Sequence, residues 1–108
     1  MLASDENGRL ELRFLTNRSQ RAGRFTIARA DYLKARESVR RMGKRVLGTF
    51  HSHPIGEAIP SRGDLSRATA NSFCLIYDVC GRELKLWKIV NRRGQRVAKE
   101  VPLKATLL

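Results

Sequence analysis

The residues best suited to chemistry lie in one stretch, His51-Ser52-His53-Pro54-Ile55-Gly56-Glu57-Ala58-Ile59-Pro60-Ser61-Arg62-Gly63-Asp64. The histidine pair follows the apolar run Val46-Leu47-Gly48-Thr49-Phe50, which reads as the tail of a buried strand. Side chains alternate along a strand, so His51 and His53 project to the same side and face one point in space. Asp64 comes after Ser61-Arg62-Gly63, where a helix would begin, and can swing a carboxylate back toward the imidazoles. Two neutral imidazoles and one carboxylate are protein ligands that a catalytic zinc commonly takes, with the fourth position left to water. A bare His-x-His is a weak signal, because two histidines near a strand end are usually polar loop residues. The loop length, Pro54, Ser61 and Asp64 together make the pattern specific.

The elements that must position these residues follow from the rest of the chain. Asn7-Gly8 is a turn signal, so Met1-Leu2-Ala3 ends one strand and the alternating Arg9-Leu10-Glu11-Leu12-Arg13-Phe14-Leu15 forms the next. Residues Thr16 to Gly23 are polar and basic, hence a loop, and Arg24-Phe25-Thr26-Ile27 is a short extended piece. From Asp31, the apolar Tyr32, Ala35, Val39 and Met42 recur at helical spacing, with Lys34, Glu37, Arg40 and Arg41 on the wet face. Gly43 is placed to end that helix as a left-handed cap. Lys44 to His51 is the strand that delivers the histidines. Ser61 caps a second helix by accepting from the Asp64 amide, and this helix runs from Arg62 to about Ala70, where Asn71-Ser72 breaks it.

Phe73-Cys74-Leu75-Ile76-Tyr77 is nearly continuous in apolar character, as a strand covered on both faces requires. Cys80-Gly81-Arg82 turns the chain into the alternating Glu83 to Ile89, and Asn91-Arg92-Arg93-Gly94 turns it again into a last strand, Gln95 to Leu103. Trp87 is a large residue at the edge of the core. This order predicts an α/β (α+β) fold, a mixed sheet with helices packed on it.

Composition sets outer limits. At 108 residues the chain is one domain, 1–108, near the lower end of size for an enzyme. Its hydrophobic fraction of 42% argues against disorder. No apolar run is long enough to span a membrane, and Met1-Leu2-Ala3-Ser4-Asp5-Glu6 lacks a basic region followed by an apolar core, so a cytoplasmic location is expected. Cys74, within an apolar strand, and Cys80, beside a turn glycine, form neither a close metal pair nor a disulfide framework, and read as a core residue and a half-exposed thiol. They also exclude a zinc deaminase, which needs His-x-Glu and Pro-Cys-x-x-Cys. With 22 Lys and Arg against 10 Asp and Glu, the net charge of +12 draws acidic partners of any kind. The arginines are scattered and the aromatic fraction is only 6%, so no stacking platform for nucleic acid is evident.

The spacing His-x-His, seven residues, Ser-x-x-Asp resembles the JAMM motif of the JAB/MPN metallopeptidases, the Mov34/PAD-1 superfamily, in its prokaryotic form. His51, His53, Pro54, Ser61 and Asp64 carry the resemblance, and it extends over nearly the whole chain. It implies an MPN-like mixed β-sheet flanked by helices, with cytidine-deaminase-like layering. It implies Zn2+ held by His51, His53 and Asp64, and Ser61 as a catalytic hydrogen-bond donor to the developing oxyanion. The implied reaction is isopeptidase cleavage of amide bonds at the C-terminus of ubiquitin-like or sulfur-carrier proteins, or of a peptide, and a basic surface suits a small acidic partner.

The family's general base is a glutamate at the end of a first helix, ahead of the first strand. Glu6 falls in the inferred turn, Glu11 on the solvent phase of a strand and Glu37 on the exposed face of a helix. None matches the family position, so no glutamate is assigned, and Glu57 reads as an exposed solubilising residue. The expectation is an MPN/JAB-like domain that is N-terminally incomplete, with apolar surface covered by a second copy in a homodimer. The alternative is a non-catalytic zinc-binding MPN interaction module that keeps the ligands and lacks the base. Neither nucleic acid nor a membrane is an expected partner.

Overall fold

A computed structural model describes residues 1–16, 18 and 27–103, which form six strands and two helices in a mixed α+β fold. The chain divides into two compact units, residues 1–47 and 48–108.

In the first unit, strands β1 (Leu2–Ser4) and β2 (Leu10–Leu12) pair antiparallel, with Leu2 opposite Leu12 and Ser4 opposite Leu10. Asp5 organises the turn between them: its Oδ1 accepts from the amides of Asn7 and Arg9, each at 2.9 Å. Gly8 sits there at φ +79°, a left-handed conformation that glycine adopts without steric cost. Strand β2 is shorter than the alternating pattern suggests, and the ladder closes with the Arg13 amide on the Met1 carbonyl at 2.9 Å. Glu11 is half-buried and paired with Arg13 at 3.1 Å and with Lys44, so it does not point freely to solvent.

Helix α1 (Arg29–Arg41) starts two residues before Asp31, at an Ala28 cap that supplies no side-chain bond. With no capping residue, the start carries no local signature; Asp31 instead places a carboxylate in the first turn, where the helix dipole favours it. The helix end is as expected. Gly43, at φ +72°, donates to the Arg40 carbonyl at 3.0 Å, and Lys44 donates to that of Val39 at 3.0 Å, a Schellman pattern. Of the apolar stripe, Val39 is fully buried, whereas Tyr32 and Met42 are exposed. The loop at 16–23 and the extended piece at 24–27 fall mostly outside the described residues; Ile27 makes a single bridge.

Strand β3 (Arg45–His53) begins in the first unit and runs into the second, where β4 (Phe73–Asp78), β5 (Glu83–Arg92) and β6 (Gln95–Val101) follow it in the order β3-β4-β5-β6. The β3–β4 pairing is parallel, from Gly48 opposite Phe73 to His53 opposite Asp78; the other two pairings are antiparallel. Strand β3 extends two residues past the expected end, because Tyr77 and Asp78 keep Ser52 and His53 in the ladder. Gly48 is required where it stands, since a Cβ there would lie 1.7 Å from the Phe73 carbonyl oxygen.

Helix α2 (Arg62–Arg67) stops before Ala70. Ala68 turns to an extended ψ of 146°, packs against the core, and accepts a bond from Arg96 Nε on β6 at 3.2 Å. The core of this unit is Ala58, Cys74, Ile76 and Ile89, with Leu65, Ala68, Trp87 and Ala98 packed on it. Trp87 does more than fill the edge: its Nε1–H donates to the Ala58 carbonyl at 2.7 Å and ties the 54–60 loop to the sheet. Cys74 is buried and Cys80 exposed, both as free thiols. Among the described residues no helix is long and apolar enough to cross a membrane.

Candidate metal centre

The parallel pairing with β4 holds the last residues of β3 extended, so His51 and His53 lie on one face, with ring centroids 5.0 Å apart. The short helix α2 brings Asp64 to them. His51 Nε2 is 3.1 Å from His53 Nε2 and 3.2 Å from Asp64 Oδ2, and His53 Nε2 is 3.4 Å from that same oxygen. In a tetrahedral site with bonds of about 2.0–2.1 Å, neighbouring ligand atoms stand about 3.3–3.4 Å apart. The three observed separations match that spacing, so the residues present fit a zinc-sized ion. Among the described histidines, cysteines and carboxylates, these three are the group whose ligand atoms gather this way.

Each ligand is oriented by a further bond. His53 Nδ1 is 2.8 Å from the Glu57 carbonyl, which can only accept, so Nδ1 carries the proton and Nε2 offers its lone pair. Asp64 is held by a capping box. Ser61 Oγ accepts from the Asp64 amide at 3.1 Å, and the Ser61 amide donates to Asp64 Oδ2 at 2.9 Å. The first of these bonds was legible in Ser-x-x-Asp; the second, which fixes the carboxylate itself, belongs to the same motif and was missed. Arg67 adds a cation 3.6 Å from Asp64 Oδ1. His51 Nδ1 faces the Cys74 sulfur at 3.8 Å, and Thr49 Oγ1 donates to that sulfur at 3.6 Å. Nothing local in the sequence marks Cys74 as a neighbour of His51; the contact exists because Thr49 pairs with Cys74 across the β3–β4 ladder.

The electrostatics favour the ligating protonation states. Burial holds the His51 imidazole below its ordinary pKa, outweighing the pull of Asp64 toward the charged form. Burial pushes the Asp64 carboxyl up, but the Ser61 amide, the His51 charge and the Ser61 hydroxyl together carry it below the usual value. Burial raises the Cys74 thiol, which therefore stays protonated. Near neutral pH the site holds a neutral imidazole at His51 and an ionised carboxylate, the forms that bind metal.

Ser61 is exposed beside Asp64, and with Oγ accepting the Asp64 amide its O–H remains a donor. Glu57 is exposed and contributes its carbonyl to His53. Glu37 lies 3.5 Å from Arg41 and Glu11 is engaged by Arg13 and Lys44, while Glu6 is exposed in the first hairpin turn.

Residues 1–90 match the family described as prokaryotic homologs of the JAB domain. The chain is 32% identical over 94 residues to a desampylase of Pyrococcus furiosus (strain ATCC 43587 / DSM 3638 / JCM 8422 / Vc1), an alignment covering 87% of this chain and 59% of that protein. The chain thus spans less than two thirds of that relative's length. Among solved structures, it is similar to the solution structure of a protein from Salinibacter ruber (strain DSM 13855), with a TM-score of 0.59 and 26% identity, covering 96% of this chain and 80% of that one.

Proposed function

The chain belongs to the family of prokaryotic homologs of the JAB domain, and from that premise we propose that it is a zinc-dependent hydrolase of the isopeptidase kind. The observation that carries this reading is the triangle of His51 Nε2, His53 Nε2 and Asp64 Oδ2, with edges of 3.1, 3.2 and 3.4 Å. These three side chains would hold Zn2+. Bound there, the ion would supply a water acidic enough to act as a nucleophile near neutral pH and would polarise the amide carbonyl under attack.

The chain's own residues account for the rest of the arrangement. Glu57 aims His53 through its carbonyl, and the Ser61 amide aims Asp64. The Ser61 hydroxyl donates to the oxygen of the carbonyl as negative charge builds on it. The substrate class we assign is the C-terminal amide of a small ubiquitin-like or sulfur-carrier protein. A relative named desampylase supports this, as does a net charge of +12 suited to an acidic partner.

A second reading, a zinc-binding interaction module without turnover, is favoured by one observation. Among the described residues no carboxylate other than Asp64 joins the cluster, so no proton acceptor is identified there. Cleavage of a ubiquitin-like C-terminal fusion separates the two. Turnover lost on chelation and in Asp64→Ala supports the hydrolase, and zinc binding without turnover assigns the module.

A further inference from the structure

We infer that strand β6 is a self-association edge: two copies of this chain pair β6 against β6, antiparallel, about a two-fold axis through Ala98. Strand β6 ends the sheet order, and among the described residues no strand pairs with its outer side. Its seven residues, Gln95–Val101, therefore present a row of backbone donors and acceptors, a template for one more strand. Their pairing with β5 runs without a bulge and no proline interrupts it, so the identity of the incoming strand is left to the side chains.

The charges select both the occupant and the register. Residues opposite each other in an antiparallel ladder share one hydrogen-bonding phase, and the phase alternates along each strand. Two identical strands are therefore related by an axis through a residue, never by one between residues. An axis at Val97 pairs only residues 95–99 and sets Arg96 against the partner's Ala98. An axis at Lys99 pairs only residues 97–101 and brings the two lysines together, a like-charge contact. The axis at Ala98 pairs all seven residues, with about six to eight backbone hydrogen bonds. It also sets Arg96 against the partner's Glu100, and Glu100 against the partner's Arg96.

Arg96 and Glu100 are exposed and share one face of the strand, but their Cα atoms stand about 13 Å apart, too far to pair within one chain. Arg96 commits only Nε, to the Ala68 carbonyl at 3.2 Å, which leaves its terminal nitrogens for a carboxylate. Ala98, on the same face and packed against the core, is small enough to let the strands meet at the axis. On the other face Lys99 lies opposite the partner's Val97, which its aliphatic stem can cover. The net charge of +12 opposes association at long range, but at about 0.15 M salt that repulsion is screened beyond about 8 Å, whereas the contact pairs persist.

The experiment is sedimentation equilibrium of the full chain at about 0.15 M salt, with Glu100→Arg and Arg96→Glu each alone and then mixed. Alone, each variant faces like charges across the axis; mixed, every such pair is opposite again. The expected results are a wild-type dimer that forms with rising concentration and a dissociation constant raised about 10–100-fold in each variant, as two pairs turn from attractive to repulsive. The equimolar mixture is expected to recover association as a heterodimer. A wild-type chain that stays monomeric at every concentration leaves the edge to some other extended segment and overturns the inference. A dimer indifferent to Glu100→Arg places the contact elsewhere and overturns it equally, as do variants that stay apart when mixed. If Arg96→Glu fails to fold on losing the Ala68 bond, Glu100→Arg against wild type decides alone.

Discussion

Replacing Trp87 by Phe tests whether the site loop is held by one hydrogen bond from the sheet. Trp87 Nε1 donates to the Ala58 carbonyl at 2.7 Å, and Ala58 is fully buried. Phenylalanine keeps a ring in the core and so makes packing the smaller loss, but it leaves a buried carbonyl without its donor. Such an orphan costs about 1–3 kcal/mol. For a chain of this size each kcal/mol lowers the thermal midpoint by about 4–8 °C, so a fall of at least about 4 °C is expected. The effect should reach the metal as well. Ala58 adjoins Glu57, whose carbonyl orients His53 at 2.8 Å, and loosening it should weaken zinc binding by about tenfold, the low end for an outer-shell loss. Thermal unfolding of the zinc-free chain and chelator competition read the two effects separately. An unchanged midpoint would refute the claim that this bond secures the loop, and a lowered midpoint with unchanged zinc affinity would show that the loop does not position His53.

Three further outcomes are expected. Gly48→Ala would set a Cβ 1.7 Å from the Phe73 carbonyl oxygen. Restoring an ordinary carbon–oxygen contact of about 3.3 Å means parting the strands by about 1.6 Å. Breaking several ladder bonds at about 1 kcal/mol each gives a loss above about 3 kcal/mol in urea unfolding, and a wild-type midpoint would contradict the close approach. Ser61→Ala should cost about 1 kcal/mol as a lost cap. It should barely touch zinc affinity, because the Asp64 carboxylate keeps the Ser61 amide, while slowing amide cleavage about 100-fold; an unchanged rate would remove the oxyanion role.

The pH dependence of the zinc-free chain follows from the two shifted groups. The His51 imidazole resists protonation in the folded chain while the unfolded chain takes a proton at about pH 6.5, so stability is flat above that pH and falls below it. Asp64, held below its ordinary value, contributes stability that is present above the unfolded carboxyl pKa and is lost as the pH falls through the folded one. Midpoints measured from pH 8 down to 5 should therefore decline only in the lower half of that range. His51→Phe should flatten that decline, and an identical decline in the variant would assign it to other groups.

What the sequence disclosed and what it hid have separable physical causes. Strand alternation and the Ser-x-x-Asp cap are local, so the facing of His51 and His53 and the arrival of Asp64 are legible in the sequence alone. Gly43 as the helix end and Asn7-Gly8 as a turn were legible for the same reason, since each depends on one residue's backbone freedom. The bonds that refine the site are not local. Trp87 to Ala58 spans 29 residues and Cys74 to His51 spans 23, and both depend on strand register. The early start of α1 at Arg29 has no cap to announce it, and α2 ends at Arg67 because Ala68 gains a core contact and a bond to Arg96. At the α2 end, tertiary packing decides the boundary.

The central claim, that His51, His53 and Asp64 bind zinc together, is tested most directly by X-ray absorption at the zinc edge on the purified, zinc-loaded chain. The account predicts one zinc per chain with nitrogen and oxygen neighbours at about 2.0–2.2 Å, two of them showing imidazole scattering, and no sulfur. A sulfur shell at about 2.3 Å would place the metal on Cys74 or Cys80 and contradict the account, as would a chain that takes up no zinc.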